Sequence, residues 1–134
     1  MNNITLQQAQ QAIMAAVDKA TKMEVKQNVA IVDAGANLVA FAHMDNAWLG
    51  SIDISMKKAR TARLFDMETK AIGKMSQPGE PLYGIEISNG GLISFGGGIP
   101  IKDADGNVIG AIGVSGGTVD QDIEVAEAGL KALK

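Results

Sequence analysis

The sequence predicts an α+β fold in which an antiparallel sheet is flanked by helices. Three observations carry that reading. T-x-x-Q patterns open amphipathic segments near both ends of the chain, Thr5 to Gln8 and Thr118 to Gln121. Paired short apolar runs are joined by turn-forming segments, Asp33 to Asn37 and Asp103 to Asn107. Consecutive hairpins of this kind build antiparallel sheets, and they disfavour the strand-helix-strand crossovers of a doubly wound nucleotide-binding fold.

The Thr5 capping box predicts a helix to about Met23, with Leu6, Ala9, Ile13, Ala16, Val17 and Ala20 at helical spacing. Asn28 to Val32 and Leu38 to Ala42 follow as β-prone runs around Asp33-Ala-Gly-Ala-Asn37, whose glycine is available for positive φ. Ser51 is the expected cap of a second helix, Ile52 to Asp66, and a shorter helix is expected from Thr69 to Lys74. Ser76-Gln-Pro-Gly-Glu-Pro81 reads as loop. Beyond Tyr83, Ile85 to Ser88, Leu92 to Phe95, Ile99 to Lys102 and Val108 to Ser115 are candidate strands, the third irregular because Pro100 cannot donate to a ladder. Ile123 to Leu133 forms the last helix. Asp33 to Ala40 and Asp103 to Gly110 align as a weak repeat, better explained by shared hairpin chemistry than by duplication.

The chain has 134 residues, 46% of them hydrophobic and 20% charged, which predicts one globular domain over residues 1–134. Aromatics are 4%, with 16 glycines and 7 methionines, so the core is expected to pack aliphatic and methionine side chains with close backbone approach. Having no cysteine excludes disulfides, thiolate metal sites and cysteine nucleophiles, and one histidine excludes a histidine-rich metal centre. A net charge of -3 argues against a nucleic-acid surface. Met1 to Gln11 lacks the basic and apolar regions of an export signal, and no apolar run reaches membrane-spanning length, so no membrane partner and a cytoplasmic location are expected.

In the second helix, Ile52, Met56, Ala59 and Met67 fall in one sector, with Arg63 in its middle and Arg60 at its edge. Arg63 there needs an internal carboxylate, backbone carbonyls or the anionic group of a ligand. His43 ends the first hairpin, and strand alternation places it on one face with Phe41. It reads as an axial iron ligand or general base, or as a hydrogen-bonded surface residue. Met44, Met56, Met67 and Met75 suit either a soft pocket or core gap-filling. The glycine runs lack the G-x-x-x-x-G-K-[ST] phosphate loop, and Asp120, Asp122, Glu124 and Glu127 beyond them read as a solvated acidic helix start or, less readily, as a carboxylate cation site. The glycines read first as permitting tight turns, bulges and close packing against another backbone or subunit, and the Gly96 to Gly98 turn would also let a flat ligand approach.

Val32-Asp-Ala-Gly35, Leu38-Val-Ala-Phe41, Met44-Asp45, Ser51-Ile-Asp-Ile54, Lys58-Ala-Arg-Thr-Ala62, Gly97-Gly-Ile-Pro-Ile101 and Gly106-Asn-Val-Ile-Gly-Ala-Ile-Gly-Val-Ser-Gly116 resemble the GlcG/HbpS family, also called the haem-degrading domain family. The resemblance spans nearly the whole chain. It implies a profilin-like architecture with a five-stranded antiparallel sheet, and homo-oligomers of two or more subunits. Some members bind haem, and some have been associated with its degradation or with redox-responsive sensing. Arg60 and Arg63 carry over as positions of the K-A-R-T-A helix, whereas His43 as iron ligand follows from its being the only histidine. The expectation is a small binding protein holding haem or another flat anionic molecule, with Arg60, Arg63, His43, Met56, Phe95, Gly97 and Gly98 as ligand-binding residues and His43 as the metal ligand. An accessory enzyme acting on a small carboxylate, hydroxy-acid or diol metabolite, and an oligomeric scaffold without ligand, are the alternatives.

Overall fold

A computed structural model of the chain describes residues 2–134. The elements run α1 (Leu6–Lys22), β1 (Asn28–Asp33), β2 (Leu38–His43), α2 (Gly50–Phe65), α3 (Thr69–Met75), a 3-10 turn at Ile85–Ile87, β3 (Gly98–Lys102), β4 (Val108–Ser115) and α4 (Val119–Lys131). Both capping boxes form. Thr5 Oγ1 accepts from the Gln8 amide at 3.1 Å and Gln8 Oε1 from the Thr5 amide at 2.9 Å, and Thr118 and Gln121 repeat the exchange at 3.2 and 2.9 Å.

The strands form one antiparallel sheet in the order β2-β1-β4-β3. Side-chain alternation gives it two different faces. Val29, Ile31, Ile99, Ile101, Ile112 and Val114 pack beneath α1 and α4, meeting Ala9, Ala12, Ile13, Ala16, Val125 and Ala126. Ala30, Val32 and Ala111 meet Ala59 and Ala62 of α2 on the other side. That second face is made of small residues, and the helix therefore comes very close. A Cβ on Gly113 would strike the Ser55 carbonyl and lie 2.5 Å from the Ala59 nitrogen.

Both hairpins turn by the same side-chain chemistry. Asp33 Oδ1 accepts from the Gly35 and Asn37 amides at 2.9 Å each, and Asp103 Oδ1 accepts from Asp105 and Asn107 at the same distance. A register shift follows each turn, as expected where a left-handed residue closes the loop. In the second turn that residue is Gly106. In the first it is not the expected glycine but Ala36, at φ 62°.

Four strands form among the described residues, where the resemblance implied five. The two missing candidates have other partners. Ile85–Ile87 winds into the 3-10 turn, and the Leu92 amide donates to the Glu86 carbonyl at 2.9 Å. The Ile93 amide donates to Thr61 Oγ1 of α2 at 3.1 Å, so residues 92–95 run over a helix without joining a ladder. Ile99 to Lys102, by contrast, does join the ladder as part of β3, with an irregularity at its end rather than at Pro100. As an edge strand β3 can present Pro100 away from β4, and its one register shift falls between Ile101 and Lys102. Ser51 also departs from expectation: α2 begins at Gly50 without a side-chain cap, and Ser51 is buried in its first turn.

Two substitutions probe these points. Gly113→Ala should push α2 off the sheet and cost ~1–3 kcal/mol in urea unfolding, as overpacking against backbone does. Ala36→Gly should stabilise by ~0.5–1 kcal/mol, because glycine escapes the left-handed penalty at only a modest entropic cost.

Candidate functional site

Because its backbone rides on Gly113, α2 turns a small-residue face to the sheet: Ser55, Ala59, Thr61, Ala62 and one long side chain, Lys58. Lys58 is fully buried. Its Nζ donates to Asp122 Oδ2 at 3.0 Å and to the Val114 carbonyl at 2.8 Å, and it lies 4.9 Å from the centre of the Phe95 ring. Asp122 is also buried, accepting the Gly117 amide at 2.9 Å through Oδ1. The pair ties α2 to the end of β4 and the first turn of α4. Burial pushes the Lys58 ammonium below its ordinary range against the raising pull of Asp122. It likewise pushes the Asp122 carboxyl up, opposed by Lys58 and the Gly117 amide.

Phe95, Gly97 and Gly98 belong to this centre. A Cβ on Gly97 would sit 2.6 Å from the Val114 carbonyl oxygen and 2.7 Å from Lys58 Nζ, and one on Gly98 would strike the Lys58 carbonyl. The glycines make room for Lys58 and α2, and Phe95 lies over the ammonium while remaining 41% exposed.

His43 is on the opposite edge of the sheet. It pairs across the ladder with Asn28, and Phe41 with Ala30, which puts His43 and Phe41 together on the α2-facing side as strand alternation predicts. The His43 ring is exposed, and its Nδ1 lies 2.5 Å from Oδ1 of fully buried Asn28. Asn28 Nδ2 in turn donates to the Trp48 carbonyl at 3.1 Å. The packing of α2 falls on β4, β1 and β3, and β2 extends past it. Only Met56, half-buried on the flank of α2, joins Phe41 against the small-residue cluster of that layer. The result is an open strip of Phe41, Met56 and His43, with Trp48 (69% exposed) and Leu49 (78% exposed) at its end. His43 also borders an open cleft of about 570 Å³ at the hairpin's end, with Val17, Thr21, Val25, Ala42 and Met44 in its lining.

The two arginines are engaged elsewhere. Arg63 Nε donates to the Ala34 carbonyl at 2.6 Å, and its Nη1 pairs with Asp66 at 2.5 Å. Arg60 Nη1 donates to the Asn89 carbonyl at 2.6 Å. The sector holding Ile52, Met56 and Arg63 is the flank of α2, and the centre of its buried face is the Ser55, Lys58, Ala62 side. His43 contacts Asn28 at the start of β1 and Arg63 contacts Ala34 just past its end, so the two lie toward opposite ends of the hairpin. The seven expected site residues fall into four places: Phe95, Gly97 and Gly98 at Lys58, His43 and Met56 beside β2, Arg63 at the first turn and Arg60 at Asn89. Sequence reasoning missed Lys58, Asp122 and Asn28. The available signal for Lys58 was its position in a stripe with Ser51, Ser55 and Ala62, which a helix packed by small residues would bury. Asp122, expected in a solvated helix start, is instead the counter-ion of Lys58.

Among the described residues, no three His, Asp or Glu side chains converge to hold a metal ion, and no helix is long and apolar enough to cross a membrane.

A four-stranded antiparallel sheet between helical layers, braced by a buried lysine-aspartate pair, defines a small α+β protein with one bare strand face. Residues 4–131 match the family described as "Haem degrading protein HbpS-like", and the chain belongs to that family. It is 42% identical over 128 residues to an uncharacterized 15.0 kDa protein of the dhaT-dhaS intergenic region of Citrobacter freundii, covering 95% of this chain and 89% of that one. The structure of Klebsiella pneumoniae ORFY is similar with TM-score 0.96 and 41% identity, over 99% of this chain and 92% of that one. A PduOC-haem complex is similar with TM-score 0.91 and 35% identity, over 97% of this chain and 94% of that one.

The buried pair yields a stability prediction. Lys58→Met leaves Asp122 buried without its counter-ion and should cost ~3–5 kcal/mol, whereas Lys58→Met with Asp122→Leu should recover most of the loss. Urea unfolding of both variants measures the difference.

Proposed function

We propose that this chain is a small-molecule-binding protein that holds haem, or another flat anionic ligand, against the open side of β2, with His43 as the metal ligand. The observation that carries this reading is the strip itself. An exposed histidine, the only one in the chain, stands at its end beside Phe41 and Met56, on the face of β2 that α2 does not cover. These residues fit the group: a neutral imidazole is a common axial ligand of haem iron, and aliphatic, thioether and aromatic side chains suit a porphyrin face. A related protein has been solved with haem, and the family description names haem degradation.

His43 would bind the iron, while Phe41 and Met56 would contact the ring. Bound iron would supply redox chemistry, and the protein's part would be to orient the group and exclude water. The strip covers one face of a flat molecule, so a second copy of the chain is the proposed cover for the other. Arg60 and Arg63 have no contact with this ligand in the proposal. Phe95, Gly97 and Gly98 serve the Lys58 centre.

Titration of haemin into the purified protein tests the proposal. The expected result is a shifted Soret band that saturates at one haem per chain or per two chains, with affinity at least tenfold lower in His43→Ala. A featureless, non-saturating spectrum overturns haem binding. A His43→Ala spectrum identical to wild type removes His43 as the ligand.

A further inference from the structure

We infer that Asn28 is a positioning residue that fixes His43 as the Nδ1-H tautomer, so that the bare Nε2 lone pair is the one presented to a metal. The inference rests on reading His43 as a ligand, and it is drawn from hydrogen-bond polarity alone. The Trp48 carbonyl can only accept, and it takes both the Ser51 amide at 3.2 Å and the Asn28 side chain at 3.1 Å. The amide group that faces Trp48 must therefore be the NH2 of Asn28. Rotating the amide would set two acceptor oxygens against each other. With the NH2 committed, Oδ1 is the atom facing His43, 2.5 Å from Nδ1, and an oxygen that can only accept requires Nδ1 to carry the proton.

Asn28 is well placed to enforce this. It is fully buried at the start of β1 and cross-strand from His43, in a ladder that fixes the distance between the two Cα atoms. The chain of polarity begins at the first turn of α2, where the Ser51 amide anchors the Trp48 carbonyl. It ends at the imidazole. Metal-binding histidines commonly donate their second ring N-H to an oxygen that sets ring orientation, and losing that partner typically lowers metal affinity 10- to 100-fold. Here the partner is an amide oxygen belonging to a residue that binds no ligand itself.

The test uses wild-type protein without haem, with histidine labelled by nitrogen-15. Long-range proton-nitrogen correlation spectra on the alkaline side of the imidazole titration report which ring nitrogen is protonated. A single Nδ1-H form is expected. A predominant Nε2-H form, or an even mixture, overturns the inference whatever haem does. Asn28→Ala, checked for folding by circular dichroism, should return the ring toward the Nε2-H form preferred by free imidazole and weaken haemin binding 10- to 100-fold. Should Asn28→Ala not fold, the wild-type spectrum alone decides. An Nδ1-H wild type that binds no haemin supports the Asn28 assignment and overturns the ligand reading, so the two failures are separable.

Discussion

The backbone of α2 lies against β4 with almost no side chain between them, and much of the molecule follows from that contact. Gly113 admits the Ser55 and Ala59 backbone, while Gly98 admits the Lys58 carbonyl. A helix held this close can turn only small residues to the sheet, so a lysine on that face must run sideways until it finds oxygen. Lys58 finds it at Val114 and Asp122, which brings the first turn of α4 to the end of β4. Desolvating two charges is costly, and the geometry offsets the cost by a further backbone hydrogen bond for each partner, Lys58 donating to the Val114 carbonyl and Asp122 accepting from the Gly117 amide. The same placement of α2 over β1, β4 and β3 leaves β2 bare on one side.

The features legible in the sequence are those decided within a few residues. Thr5 with Gln8, Thr118 with Gln121, Asp33 with Asn37 and Asp103 with Asn107 each close a local hydrogen-bonded unit, and all four were readable from spacing. Ile85 to Ser88 and Leu92 to Phe95 have strand-like composition, but a strand exists only where a partner is available. Thr61 and the 3-10 turn took up their backbone groups first. The buried side of α2 was misplaced for a related reason: hydropathy weights large side chains, and this interface selects small ones.

The candidate site was legible to the extent that alternation governs it. Phe41 and His43 share a face because side chains along a strand alternate, a rule that needs no knowledge of the rest of the fold. Asn28 was not visible as the partner of His43, since their meeting depends on the register between β1 and β2. Lys58 and Asp122 lie 64 residues apart, and nothing local marks either for the other. Arg63 was rightly seen to need partners for its charge. Which carbonyl and which carboxylate would meet it was a matter of tertiary structure.

The paired turns also bear on how the chain assembles. β1 with β2, and β3 with β4, are joined by short loops that prearrange their own closure, so each hairpin forms at little cost in loop entropy. The central pairing is different: Asn28 meets Ser115 and Asp33 meets Gly110 only after all the chain between has been looped in, α2 included. Contacts of such long sequence separation set the pace of folding. The sheet is thus two quick halves and one slow seam, and α2, laid across that seam, is the element whose docking completes it.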